Sequence, residues 1–105
     1  MIMKKLLFTL TLLLGLNLSA QDQKAYQLED GTIRLEQFYS NGQIQQVSYY
    51  WGKVGIGTWL KYDEQGNLIA KAEMRNGRPV RIFRYENGIV TIIDRNKRSI
   101  TQMKD

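Results

Sequence analysis

Glycine recurs along this chain at Gly31, Gly42, Gly55, Gly66, Gly77 and Gly88, at intervals of 11, 13, 11, 11 and 11 residues. A helix interior loses about 1 kcal/mol at each glycine, so a chain punctuated this often does not support long helices. Four of these glycines complete Asx-Gly pairs: Asp30-Gly31, Asn41-Gly42, Asn76-Gly77 and Asn87-Gly88. Such pairs favour type I′ hairpin turns, whose two central residues both need positive φ. Regularly spaced turn signals of this kind predict a run of short strands.

The segments between the turns carry strand patterns. Leu68, Ala70, Ala72 and Met74 alternate with Ile69, Lys71 and Glu73, a period of two. Val80 with Ile82, and Val90 with Ile92, continue the same pattern, and Ile33, Leu35 and Tyr39 share one parity. Ile44 and Val47 break the alternation, so several strands read as apolar on both sides. Pro79 suits the start of a strand or an edge.

A longer period overlies the hairpins. Tyr39, Tyr62 and Tyr85 are spaced 23 residues apart, each just before a turn: Y-S-N-G, Y-D-E-Q-G and Y-E-N-G. Fixed periods of this length mark repeat arrays, in which each unit buries its apolar face on the next. The run Gly57-Thr58-Trp59-Leu60-Lys61-Tyr62 followed by Gly66-Asn67-Leu68 resembles the G-x-W-x-x-Y-x-x-x-G-x-L unit of MORN-repeat-variant proteins. Gly52-Lys53-Val54-Gly55-Ile56-Gly57 is similar to the glycine-rich junction between such units. Units around Tyr39 and Tyr85 match more loosely, with Glu36 and Ile82 where the tryptophan stands in the middle one. The resemblance covers residues 31–94 and implies an all-β fold, an antiparallel meander of hairpins built from 23-residue repeats. The family's members include scaffolds, membrane-associated modules and antitoxins.

The first twenty residues read differently. Lys4 and Lys5 precede an apolar run from Leu6 to Leu16, and Asn17-Leu18-Ser19-Ala20 ends on a small residue. That is the pattern of a cleaved secretory signal peptide, with the mature chain starting at Gln21. The apolar run falls short of the roughly 20 residues a membrane span requires, so the expectation is no transmembrane segment after cleavage. The organisation expected is therefore a signal at 1–20, a lead-in at 21–30, the repeat domain at 31–94 and a basic segment at 95–105. Cysteine is absent, which excludes disulfides and a lipid-modified cysteine. A mature domain this small buries a thin core, so regular backbone pairing must supply much of its stability.

Several chemistries are excluded by residue type. Gly52-Lys53-Val54-Gly55-Ile56-Gly57-Thr58 looks like a phosphate loop, but its lysine precedes the spacer. Thr58 to Tyr62, which follows, reads as a strand and not as the helix such a loop needs. Its glycines are expected to turn the chain. With no histidine and no cysteine, imidazole bases, thiol nucleophiles, serine triads and the usual zinc ligands are all missing. Adjacent carboxylates occur only at Glu29-Asp30 and Asp63-Glu64, in turns, and Asp63, Glu64 and Asn67 match no calcium loop. The expectation is a protein without cofactor, metal site or catalytic residues.

Two sets of residues are candidates for partner contact. Tyr49, Tyr50, Trp51, Trp59 and Tyr62 cluster around the glycine-rich junction; most are expected in the core, with Trp51 the most exposed. Tyr49 and Tyr50 must face opposite ways in a strand. Arg75, Arg78, Arg81 and Arg84 precede Arg95, Lys97 and Arg98, and in a regular strand Arg81 points away from Arg78 and Arg84. Charge is uneven: residues 21–70 hold 4 basic and 6 acidic side chains, residues 71–105 hold 9 and 4. The candidate contacts are Tyr49, Trp51, Trp59, Arg95, Lys97 and Arg98. The expected partner is a protein or an anionic envelope surface, lipid head groups or polysaccharide, and not nucleic acid. These features predict an exported binding or scaffold module, periplasmic or at the cell surface. The alternative is an antitoxin-like or immunity-like protein that occludes a toxin.

Overall fold

A computed structural model describes residues 22–104. The expected signal peptide lies outside the described residues. Eight strands run β1 Asp22–Gln27, β2 Ile33–Phe38, β3 Ile44–Trp51, β4 Val54–Tyr62, β5 Leu68–Arg75, β6 Arg78–Glu86, β7 Ile89–Asp94 and β8 Ser99–Lys104. They form one antiparallel sheet in sequence order, so every strand pairs with its chain neighbours. The expected all-β meander is what the chain adopts. The sheet also takes in β1 and β8, strands on either side of the 31–94 span.

The turns fall into distinct types. At Asn76-Gly77 and Asn87-Gly88 both residues have positive φ, the two-residue hairpin expected from the sequence. At Asp30-Gly31 and Asn41-Gly42 only the glycine does, correcting that expectation for these two pairs. The backbone there closes a wider loop: Leu28 N–H donates to Thr32 O and Gly31 N–H to Leu28 O. Tyr39–Gln43 and Asp63–Asn67 repeat that pair of bonds. Asp30 and Asn41 act through their side chains instead, accepting the amides of Thr32 and Gln43 at 2.9 Å.

Gly55 and Gly57 correct another expectation. They do not turn the chain; Gly52-Lys53 does, and both lie within β4. Gly55 is buried, and a Cβ there would stand 2.7 Å from Cζ2 of Trp59. Its hydrogen leaves room for an indole.

A meander places its turns alternately at two ends. Turns 28–32, 52–53, 76–77 and 95–98 share one end, called upper here, and turns 39–43, 63–67 and 87–88 share the lower. Register fixes the faces. Ile33, Tyr50, Gly55, Trp59, Ala70, Ala72, Met74, Ile82 and Ile93 lie on one face; Arg34, Val47, Tyr49, Trp51, Leu60, Lys71, Glu73, Phe83 and Val90 lie on the other. Burial is thin and shared between them. Val47 and Val90, at 3% and 7% exposure, are the buried apolar residues, and most other strand residues are half-buried.

The 23-residue spacing has a physical counterpart at the lower end. Tyr39 Oη donates to the Tyr62 carbonyl at 2.7 Å, and Asn41 Nδ2 donates to the Glu64 carbonyl at 3.0 Å. Each bond joins positions 23 residues apart, from one turn to the strand end or turn that follows on the same end. At the upper end the Gly77 amide donates to the Gly55 carbonyl at 3.0 Å. The sheet measures 43 × 30 × 25 Å, deeper than the roughly 10 Å layer of a flat sheet, as strong twist requires.

Candidate binding surface

Trp59 owes its position to an irregularity in the β3–β4 ladder. Between the Val47↔Leu60 and Tyr49↔Ile56 pairs, β3 contributes only Ser48 while β4 contributes Gly57, Thr58 and Trp59. Gly57 takes φ 74° there, a conformation that favours glycine. The indole N–H of Trp59 donates into this gap, to the Ile56 carbonyl at 3.0 Å and the Tyr49 carbonyl at 3.2 Å. Its ring lies over Gly55 and sits 5.3 Å from the Tyr50 ring, tilted by 52°. Trp59 is thus pinned and half-buried, one wall of a shallow groove of about 160 Å³ whose other lining includes Gln46, Lys61, Ala70, Ala72 and Ile82.

The aromatic cluster expected from the sequence is divided between the faces. Tyr50 and Trp59 lie on one side, Tyr49 and Trp51 on the other, as alternation requires. Tyr49 is half-buried and already engaged: its hydroxyl accepts from Arg34 Nη1 at 3.1 Å, and that guanidinium lies 5.8 Å from the ring centroid. Arg34 is held in turn by Glu36 at 2.9 Å. Trp51 is 57% exposed at the upper end, paired with Val54 across the 52–53 turn. Its ring edge rests where a Cβ on Gly31 would come within 3.1 Å.

Arg95, Lys97 and Arg98 are exposed in the β7–β8 turn. Asp94 Oδ1 shapes that turn by accepting the amides of Asn96 and Lys97 at 3.1 and 3.0 Å. The Arg95 amide is tied to the Val80 carbonyl at 2.9 Å. The earlier arginines are not placed as regular alternation predicts. Glu73 pairs with Arg81 and Met74 with Pro79, leaving Val80 as an extra residue. This bulge brings Arg78 and Arg81 onto the same face, with Arg84 on the opposite one, correcting the expectation that Arg81 opposes both. Arg81 is held by Glu73 at 2.9 Å, and Lys71 lies 4.6 Å from the centroid of the Phe83 ring.

The meander gathers further residues that linear reading left apart. Lys53, Arg75 and Arg78 are exposed at the same upper end as Arg95, Lys97 and Arg98. Neither of the ion pairs among the described residues, Arg34–Glu36 and Arg81–Glu73, involves any of these six. Counting strand direction from turn to turn would have found them, because residues flanking every second turn share an end. The lower end carries Asp63, Glu64 and Glu86 instead. Asp63 Oδ1 accepts the amides of Gln65 and Asn67 at 2.9 Å, so its carboxylate closes its own turn. The Asn67 amide holds the Asp63 carboxyl below its ordinary value, as the Thr32 amide does for Asp30.

Among the described residues no cluster of carboxylates is arranged to hold a metal ion, and no helix is long and apolar enough to cross a membrane. In comparisons with known proteins no family model matches the chain, and no curated protein or solved structure matches it either.

Proposed function

We propose that the chain is an exported, non-catalytic binding or scaffold module of the cell envelope, built from MORN-like repeats. The observation that carries this reading is the stacking of successive units: side chains of the 39–43 turn bond the carbonyls of Tyr62, the last residue of β4, and Glu64, in the turn that follows, one 23-residue period later. A sheet extended by such units offers two broad, half-exposed faces and a row of turn tips at each end. Export rests on the basic, apolar and small-residue sequence of the first twenty positions.

Three measurements test this. Duplicating residues 44–66, one full period, should give a longer protein that still unfolds cooperatively with proportionally more sheet by circular dichroism. A duplicated chain that fails to fold contradicts the repeat reading. Intact mass of the protein recovered from the envelope fraction should correspond to a start at or near Gln21. Retention of residues 1–20 would make the protein an anchored one. Crosslinked capture of one stoichiometric enzyme whose activity is thereby blocked would move the reading to a neutralising protein.

A further inference from the structure

The two ends of the sheet differ in charge, and the difference appears only once the turns are sorted by end. Three successive tips of the upper end carry Lys53, Arg75 with Arg78, and Arg95 with Lys97 and Arg98. The remaining upper tip, between β1 and β2, carries Glu29 and Asp30, so the cationic row begins beside Trp51 and runs toward β8. Arg75 and Arg78 are directly opposed across the β5–β6 ladder, a like-charge pair that has no benefit inside this fold. The single carboxylate within the row, Asp94, is turned to its own loop amides.

Tips on one end are two strands apart, about 10 Å in the hydrogen-bonding direction. The charges therefore form a line across the strand ends and not a broad disc. Trp51 and Val54 stand at the start of that line, the six-membered ring of the tryptophan set against Gly31 while the residue is more than half exposed. The tips at 76–77 and 95–98 themselves carry only Asn, Gly, Arg and Lys, and the exposed apolar side chains of this end, Trp51, Val54 and Ile100, stand at its two sides and form no continuous patch between the charges. A line of guanidinium groups suits carboxylates repeated along an extended chain, since each pairs with carboxylate through a planar fork. An exposed indole suits the C–H surface of a sugar ring.

We propose that this upper row binds a linear acidic polysaccharide laid across the strand ends, with Arg75, Arg78, Arg95, Lys97 and Arg98 pairing its carboxylates and Trp51 stacking on a ring. The inference rests on the exported-module reading for its choice of glycan over nucleic acid.

The test is a titration of the purified protein with polygalacturonate at 0.15 M salt, followed by calorimetry and by acrylamide quenching of tryptophan fluorescence. Neutral dextran, vesicles containing phosphatidylglycerol and a DNA duplex are the comparison ligands. The protein should bind polygalacturonate and not dextran, and bound polymer should shield Trp51 from quenching. Changing Arg75→Gln with Arg78→Gln should weaken binding about tenfold, as should Arg95→Gln with Arg98→Gln. Arg84→Gln with Lys104→Gln removes as much charge from the lower part of the sheet and should change affinity less than twofold. Trp51→Ala should weaken binding and abolish the shielding. Circular dichroism of each variant confirms its fold, and Trp51→Phe, which keeps a ring, should retain most of the affinity.

Equal losses for the upper-end and Arg84/Lys104 pairs would reduce the effect to net charge and overturn the proposal. So would tighter binding to the vesicles or to the duplex than to polygalacturonate, or no binding at all. An unprocessed protein that nonetheless binds polygalacturonate through Arg75 and Arg78 would remove the export reading and leave this surface standing. A processed protein that ignores the polymer does the reverse.

Discussion

The β3–β5 part of the sheet and its β7–β8 hairpin are built on the same antiparallel ladder, yet they hold together by different means. In β3–β5 an interrupted ladder admits the Trp59 indole, which bonds two carbonyls, covers Gly55 and meets Tyr50. In β7–β8 the register is unbroken, and its side chains include Ile100 and Met103 at 71% and 51% exposure. A regular ladder is therefore not what fixes the more buried part of this molecule. A local defect lets a large ring pack over Gly55 with its N–H bonded to the backbone, and that ring supplies burial which a single layer otherwise lacks. The hairpin at the other side depends on backbone pairing and on the burial of its own Val90 in β7.

The strongest way to break this comparison is at the indole. Trp59→Ala should destabilise by about 3 kcal/mol, the lower part of the range for large aromatic truncation because the ring is only half-buried. Ile100→Ala, at the exposed hairpin, should fall within about 0.5 kcal/mol of the parent. Thermal melts that rank these two the other way would show the stability to reside in β7–β8.

Gly55→Val probes the same contact from beneath. The added side chain meets the indole at 2.7 Å, and overpacking of this kind costs roughly 1–3 kcal/mol. The penalty should shrink in a Trp59→Ala background, which a double-mutant cycle in urea reads directly. An undiminished penalty would mean that Gly55 is required for backbone reasons and not for ring packing.

Gly66→Val separates space from conformation. Here φ is 91° and the nearest atom to an added Cβ is Gln43 Oε1 at 3.6 Å, so the site is open and only the backbone resists. A β-branched residue in that region should cost about 1–3 kcal/mol. Gly66→Asn, which tolerates positive φ better, should recover part of the loss. Equal losses for Val and Asn would contradict a conformational cause.

Ser48 offers a smaller effect of opposite sign. Its side chain is fully buried beside the β3–β4 irregularity, and its hydroxyl has no hydrogen-bond partner. Replacing an unsatisfied buried hydroxyl removes a desolvation penalty, so Ser48→Ala should stabilise by about 1 kcal/mol. A destabilised Ser48→Ala protein would reveal a bond that the hydroxyl makes in solution.

Acid should produce the least change, and at the turns. The carboxyl groups of Asp30 and Asp63 are held below their ordinary values by the Thr32 and Asn67 amides. Their folded-state affinity for protons is lower than in the unfolded chain, so their contribution is complete above about pH 4 and disappears as pH falls through the depressed values. Urea midpoints should be flat in this respect from pH 5 to 7 and decline below pH 4. Asp63→Asn should decline less steeply than the parent.

Local rules in the sequence reached far into this fold. Asx-Gly pairs placed hairpins, Pro79 stands near the start of β6, and adjacent Tyr49 and Tyr50 face opposite ways because a strand alternates. Trp51 was legible as the exposed aromatic of the junction cluster because it adjoins a turn. Those properties depend on neighbours within a few residues, which is the range over which φ preferences and side-chain alternation act. Other features required the assembled sheet. Asn-Gly closes two-residue turns at 76–77 and 87–88 but a wider loop at 41–42, as Asp-Gly does at 30–31, because the flanking register decides how many residues the loop must span. The bulge at Val80 moves Arg81 to the face of Arg78, and one inserted residue reverses everything that alternation predicts beyond it. The gathering of Lys53, Arg75, Arg78, Arg95, Lys97 and Arg98 at one end likewise follows from reversal of the chain at every turn. Sequence distance records none of this, since positions flanking every second hairpin become neighbours only when the strands between them have paired.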